Sequence, residues 1–130
     1  AFLLGQRDDV PRLLAVADIY VNASLMEGTP VSVLEAMSAG LPIVATSVGD
    51  TPYLLESEAG ILVPPAQPEK MAEALIGLLS DSARRDALGK SARTRAQKDY
   101  SPQAWTRNLL KFYSKFTPSA KPILQKVENA

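Results

Sequence analysis

Short apolar runs alternate with longer amphipathic segments, and this alternation predicts the secondary structure. Four runs bounded by Gly, Pro or polar residues have the composition of buried strands, and they cover residues 2–4, 19–23, 43–46 and 61–63. Apolar residues recur at helical spacing elsewhere, which predicts helices over residues 10–17, 30–39, 53–56, 68–79, 82–98 and 102–116. Because strands alternate with helices, we predict an α/β fold with a parallel sheet and flanking helices.

The segment between the second and third predicted strands is a polar turn followed by a helix start. This order places Glu27 at the carboxyl edge of the sheet, where open α/β sheets bind ligands. Thr29 has the side chain of a helix N-cap, and Pro30 suits the first helical position. The N–H groups of Val31 and Ser32 should then point out of the helix start, which favours an anion such as phosphate.

Chain length and charge narrow the classes of function. With 130 residues, 46% of them hydrophobic, the chain is long enough for one domain, which we place at residues 1–116. Pro, Ser, Lys, Gln and Asn are frequent in residues 117–130, which predicts a flexible tail. Fourteen basic residues balance fourteen acidic ones, so no broad positive field indicates nucleic acid. We therefore expect a small-molecule partner.

The chain contains no cysteine and no histidine. Their absence excludes disulfides, cysteine nucleophiles, imidazole bases and a Ser-His-Asp triad from these residues. It also fits a reducing compartment, so we expect the cytoplasm, including the inner face of the membrane. No cluster of metal ligands of the Asp-x-Asp kind is visible, which agrees with our expectation of neither a metal ion nor another cofactor. The chain begins inside an apolar run without a methionine, and we expect it to be a piece of a longer protein.

Predicted loops with carboxylates, hydroxyls and glycines converge at one edge of the sheet. They comprise residues 6–9, 24–30, 46–51 and the bend at Pro64. Carboxylates accept hydrogen bonds from sugar hydroxyls, and the helix start favours pyrophosphate, so a nucleotide sugar would suit this edge. The residues alone leave simpler interpretations open, namely that Glu27 is a solvated loop carboxylate and Glu35 an exposed helix carboxylate.

The spacing of Glu27 and Glu35, with seven residues between them, resembles the signature of the family four retaining glycosyltransferases. The similarity begins at residues 2–5 and continues through residues 38–46, 48–49 and 60–64. It implies a GT-B architecture of two Rossmann-like domains, with this chain as an incomplete C-terminal, donor-binding domain. It also implies transfer of a hexose or similar sugar from a nucleoside diphosphate sugar to an acceptor, with retention of anomeric configuration and without a bound metal.

The resemblance also implies roles for individual residues. Those that would bind the donor sugar lie in one turn: Glu27, Gly28, Thr29 and Pro30. The backbone amides of Val31 and Ser32 would meet the phosphate, and Glu35 would bind the ribose hydroxyls. Gln6 and Arg7 are candidates for residues that lie beside the nucleotide base.

Two parts of the family pattern do not occur in these residues. Family members carry, earlier in the same domain, a strand ending in Gly-Arg and a lysine shortly after it, whose charges stabilise the departing diphosphate. The acceptor site belongs to an N-terminal domain, which we expect as the missing partner. The missing segment would also supply two central strands, so the strand at residues 2–4 should lack its neighbours. We therefore expect the fragment alone to be inactive.

Other interpretations stay open at this point. A non-catalytic nucleotide-sugar-binding module and a generic Rossmann-like phosphate-binding module are the alternatives to an enzyme. Basic side chains on the helix at 82–98 suit either a solvated face or a peripheral contact with anionic lipid. The aromatic stripe that begins at Trp105 is predicted to pack against other residues rather than to bind a ligand. Since the last helix of the family often crosses onto the other domain, the resemblance implies that part of the stripe is exposed in this chain.

Overall fold

A computed structural model describes residues 1–56 and 58–116. Its contacts group the chain into two compact units, Ala1–Thr94 and Arg95–Ala130. The tail predicted at residues 117–130 lies outside the described residues, so its flexibility stays a prediction.

Among the described residues, the first unit contains a sheet of three parallel strands in the order β1-β2-β3. The strands are β1 (Tyr20–Asn22), β2 (Ile43–Thr46) and β3 (Ile61–Val63). In the register of the sheet, Tyr20 lies opposite Ile43 and Val44 lies opposite Ile61. The predicted parallel α/β sheet is therefore confirmed.

The helices of the described residues are α1 (Val10–Val16), α2 (Val31–Ala39), α3 (Thr51–Leu54), α4 (Pro68–Leu79), α5 (Ser82–Asp99) and α6 (Pro102–Ser114). The end of α2 shows how the sequence sets such bounds. Gly40 follows the helix with φ of +80°, a left-handed conformation that costs glycine little. The next N–H, of Leu41, donates to the Ala36 carbonyl at 3.1 Å, which closes the helix before Pro42.

The core of the first unit surrounds β2, whose residues are all buried. Since side chains alternate along a strand, burial of the whole strand means that helices cover both faces of the sheet. On one face, Val44 and Val63 cluster with Leu78 of α4 and Leu88 of α5. The sheet is thereby fixed between helices, and its carboxyl edge is left for loops.

Residues 2–4 do not form the predicted strand. Phe2 is 93% exposed and Leu3 101% exposed, and neither pairs with the sheet. A strand needs a neighbour for its N–H and C=O groups, and the described chain offers none at this point. The prediction of a strand at residues 2–4 was therefore wrong, whereas the expectation that this run lacks neighbours agrees with the structure.

In two helices one apolar side chain is exposed while a nearby apolar side chain is buried. Val31 of α2 is 64% exposed, while Val33 is fully buried. Leu79 of α4 is 65% exposed, although its neighbour Leu78 is fully buried. The apolar residues stand next to each other in α4 and are separated only by Ser32 in α2, so the sequence left the buried face ambiguous, and packing of the folded chain buried one residue of each pair.

The basic residues of α5 are partly engaged inside the first unit. Arg85 donates from Nη1 to the Leu78 and Leu79 carbonyls at 2.6 and 3.0 Å, so it caps the carboxyl end of α4. A lipid contact through the remaining cations stays a prediction. In residues 1–56 and 58–116, no helix combines the length and the apolar character that a crossing of the bilayer requires.

The described part of the second unit consists of the end of α5 and helix α6. Ser101 is the N-cap of α6, and its hydroxyl accepts from the Ala104 N–H at 3.1 Å. The ring of Phe112 contacts those of Tyr113 and Phe116. Trp105, Phe112 and Phe116 are nevertheless more than half exposed, as expected for part of the stripe, and its packing against another domain stays a prediction.

Candidate functional site

The Glu27 carboxylate is held by two residues that precede it. Its Oε1 accepts a hydrogen bond of 2.6 Å from the Ser24 hydroxyl and one of 3.3 Å from Asn22 Nδ2. Asn22 is the last residue of β1 and is buried, so the network begins on the sheet itself. Glu27 is only half-buried, which leaves its carboxylate accessible from the carboxyl edge.

The segment after β2 packs directly against the turn that carries Glu27. Thr46, the last residue of β2, donates from its hydroxyl to the Ser24 carbonyl at 2.6 Å. The Asp50 N–H donates to the Gly28 carbonyl at 2.9 Å. Between them Gly49, with φ of +53°, lies so close that a β-carbon there would be 2.5 Å from the Glu27 and Gly28 oxygens. The two loops thus form one closely packed cluster.

The start of α2 differs from the prediction by one residue. The helix begins at Val31 with Pro30 as its N-cap, and Pro30 makes no side-chain capping bond. Thr29 is therefore not the N-cap, because its hydroxyl donates to the Asp50 carboxylate instead. The N–H groups of Val31 and Ser32 still have no intrahelical acceptor, since the first bonds to the Pro30 carbonyl come from Val33 and Leu34.

Glu35 lies in the second turn of the same helix and is exposed. It borders a groove of about 470 Å³ between α1 and α2, and the lining residues are mainly apolar: Pro11, Leu14, Ala15, Leu34, Ser38 and Ala39. The sequence did not predict this groove. It places the Glu35 carboxylate among mainly apolar lining residues.

Gln6 and Arg7 are not joined to this cluster by any hydrogen bond or ion pair of the described residues. Arg7 instead donates from Nε and Nη2 to the two carboxylate oxygens of Asp9, each at 2.7 Å. This pairing raises the pKa of Arg7 and lowers the pKa of Asp9. The Asp9 carboxylate is thereby occupied and gives α1 no side-chain cap.

The bend after β3 reaches the same edge of the sheet. A small cavity of about 200 Å³ there is lined by residues from all three loops: Ala23, Leu25, Thr46, Pro64, Ala66, Gln67, Pro68 and Met71. The predicted convergence of the loops at residues 24–30, 46–51 and Pro64 is therefore confirmed. The loop at residues 6–9 contributes no residue to the lining of this cavity.

Sequence reasoning missed the residues that support Glu27. Asn22 and Thr46 end their strands as buried polar residues, which was the available signal. The contribution of Gly49 and Asp50 depends on the close approach of two loops and has no local signature. As to metals, no group of three or more Asp or Glu side chains in residues 1–56 and 58–116 is arranged to hold one. That the protein works without a metal stays a prediction.

Comparison with known proteins agrees with this arrangement. The family model described as "Glycosyl transferases group 1" matches residues 1–81. Over 110 residues the chain is 36% identical to spore coat protein SA of Bacillus subtilis (strain 168), an alignment that covers 82% of this chain and 29% of that protein.

Solved structures show the same fold. Sucrose-phosphate synthase from Thermosynechococcus elongatus superposes with a TM-score of 0.73 at 30% identity, covering 80% of this chain and 26% of the other. The crystal structure of Anabaena HepE in complex with UDP gives a TM-score of 0.78 at 23% identity, covering 84% and 30%. The chain thus spans less than a third of the length of each of these proteins.

Proposed function

Because the chain belongs to the group 1 glycosyl transferase family, we propose that it is the donor-binding part of a retaining glycosyltransferase. The parent protein transfers a sugar from a nucleoside diphosphate sugar to an acceptor. The observation that carries the proposal is the Glu27 carboxylate, which Ser24 and Asn22 hold at the carboxyl edge of the sheet beside the start of α2.

Glu27 accepts hydrogen bonds from hydroxyl groups of the donor sugar. A carboxylate has two oxygens and several lone pairs, and in the described chain only Oε1 is engaged by protein donors. Oε2 is left for the ligand. The adjoining turn, residues 28–30, forms the wall against which the sugar lies.

The start of α2 binds the diphosphate. The N–H groups of Val31 and Ser32 are exposed donors at the positive end of the helix, and both favour a phosphate oxygen. No basic side chain joins the hydrogen bonds of this turn in the described residues. The cations that stabilise the departing diphosphate are therefore expected in another part of the parent protein.

Glu35 binds the ribose hydroxyls, and the groove beside it takes the base. Its apolar lining suits the face of a nucleobase, while the carboxylate at its rim suits a sugar. The fold is that of HepE, whose crystal structure is a complex with UDP. Gln6 and Arg7 border the base in this proposal, and Arg7 keeps its pairing with Asp9.

The proposal is tested on the full-length protein that contains this chain. Transfer from UDP-sugars and GDP-sugars is measured for the wild type, for Glu27→Gln and for Glu35→Gln, with Glu73→Gln as the control. Glu73 is an exposed carboxylate of α4 paired with Lys70. Loss of a charged hydrogen-bond acceptor should lower kcat/KM by about tenfold or more in each of the first two variants and leave the control unchanged.

Two readouts separate the proposal from its rivals. NMR of the product gives the anomeric configuration, and inversion would contradict a retaining transferase. Donor binding by calorimetry without any transfer would favour a non-catalytic nucleotide-sugar-binding module. Equal affinity for the free nucleotide and the nucleotide sugar would favour a generic phosphate-binding module.

A further inference from the structure

We infer that Ser24 and Asn22 are positioning residues for Glu27, and that they fix the orientation in which its unbonded carboxylate oxygen meets the donor sugar. This role rests on the proposed function, since it concerns the same carboxylate. Neither residue needs to touch the ligand. Their effect is to fix the orientation of Glu27 before the donor binds.

The Ser24 hydroxyl has little freedom of direction. At 2.6 Å its bond to Glu27 Oε1 has the length typical of a hydroxyl bound to a charged carboxylate. The backbone of Ser24 is held on both sides, because its N–H donates to Asn22 Oδ1 at 3.1 Å and its carbonyl accepts from Thr46. The hydroxyl is therefore supported by both neighbouring strands.

The amide of Asn22 serves two partners at once. Its oxygen accepts from the Ser24 N–H, which fixes the amide so that Nδ2 points to Glu27. With 8% of Asn22 exposed, this amide is shielded from water that would compete for its hydrogen bonds. Both donors converge on Oε1, so the other oxygen is presented without a protein partner among the described residues.

A carboxylate fixed in this way loses less conformational freedom when a ligand binds. The benefit applies to the part of the ligand that Glu27 contacts, the sugar, and not to the nucleotide held by α2. Removing Ser24's hydroxyl should therefore weaken binding of the nucleotide sugar selectively. A merely structural role would weaken binding of nucleotide and nucleotide sugar together.

The test compares Ser24→Ala, Ser24→Thr and Ser82→Ala in the full-length protein. Ser82 is an exposed serine at the start of α5, and no described hydrogen bond involves its hydroxyl. Calorimetry measures UDP-glucose against UDP, and GDP-mannose against GDP. We expect Ser24→Ala to lose about tenfold in affinity for the nucleotide sugar that the wild type binds, with unchanged affinity for its free diphosphate. Ser24→Thr should restore most of the loss, and Ser82→Ala should show none.

Asn22→Asp provides a second variant of nearly the same shape. It keeps an acceptor for the Ser24 N–H but replaces the donor to Glu27 with a repelling carboxylate, so its loss should exceed that of Ser24→Ala. Equal losses for sugar donor and free diphosphate, or no loss in either variant, overturn the positioning role while the proposed function stands. A wild type that binds free diphosphates but no nucleotide sugar overturns both.

Discussion

Gly49 lies against the peptide carbonyl of Glu27, at a distance where a β-carbon on residue 49 would be 2.5 Å from the Glu27 oxygen. Its φ of +53° adds a second restriction, since side chains other than hydrogen are disfavoured in this conformation. Gly49→Ala should therefore displace the Glu27 turn and lower the free energy of unfolding by about 2–4 kcal/mol. Chemical denaturation measures this loss, and the donor KM should rise in the same variant.

Gly5→Ala is the matched control. Gly5 also has positive φ, +66°, but an added β-carbon there meets no other atom within 4 Å. This variant isolates the backbone cost, which should be about 1–2 kcal/mol. If both variants lost the same stability, the close approach of Gly49 to Glu27 would be unimportant.

Gly89 and Gly77 should respond to alanine with opposite signs. A β-carbon on Gly89, in α5, would overlap the carbonyl oxygen of Gly40 at the end of α2. Gly89→Ala should therefore destabilise by about 1–3 kcal/mol despite the better helix propensity of alanine. Gly77→Ala in α4 meets open space and should stabilise by about 0.5–1 kcal/mol. Thermal unfolding of the two variants decides the matter, and a stabilised Gly89→Ala would show that the helices do not approach as described.

Leu78 and Leu79 are adjacent in sequence, yet only the first belongs to the core. Leu78 packs with Val44 and Val63, so Leu78→Ala should cost about 2–5 kcal/mol through lost burial and a residual cavity. Leu79→Ala should change the free energy of unfolding by less than about 1 kcal/mol, because the side chain is mostly in water. Denaturant titration compares the two variants, and similar losses of stability would mean that α4 turns a different face toward the sheet.

The Arg7–Asp9 pair should be visible in the titration of Asp9. Arg7 lowers the pKa of this carboxyl, so the associated stability is present above the ordinary value of about 3.9 and is lost as the pH falls through the lower folded value. Arg7→Gln should return the pKa of Asp9 toward the ordinary range, as followed by NMR of its carboxyl carbon. Arg12→Gln is the control and should leave it unchanged. Because both side chains of the pair are exposed, the effect on global stability should be small.

The sequence was sufficient for elements whose signals agree with each other. The left-handed Gly40 and Pro42 both favour the end of helix α2 at Ala39, and the apolar run after Pro42 favours a strand at residues 43–46. The run at residues 2–4 has only its apolar character. Hydrogen bonding to a neighbouring strand decides whether such a run becomes a strand, and that neighbour is not predictable from the run itself.

At the candidate site, the sequence located Glu27, Glu35 and the start of α2 but not their support. Thr29 has the side chain of an N-cap, yet its hydroxyl donates a hydrogen bond to Asp50, a residue of another loop. Local patterns describe what a residue can bond, whereas the partner that it finds depends on how strands pair and loops meet. Ser24 and Asn22 acquired their importance for the same reason.

The hydrogen bond from the Thr46 hydroxyl to the Ser24 carbonyl joins the turn that carries Glu27 to strand β2 of the sheet. A flexible loop becomes ordered when a ligand binds, and the loss of conformational entropy lowers the binding free energy. Here the turn takes its geometry from β2, through a residue that is itself buried and fixed. The Ser24 N–H, which donates to Asn22 Oδ1, should exchange slowly with solvent whether or not a nucleotide sugar is bound, and the empty site should already have the shape of the occupied one.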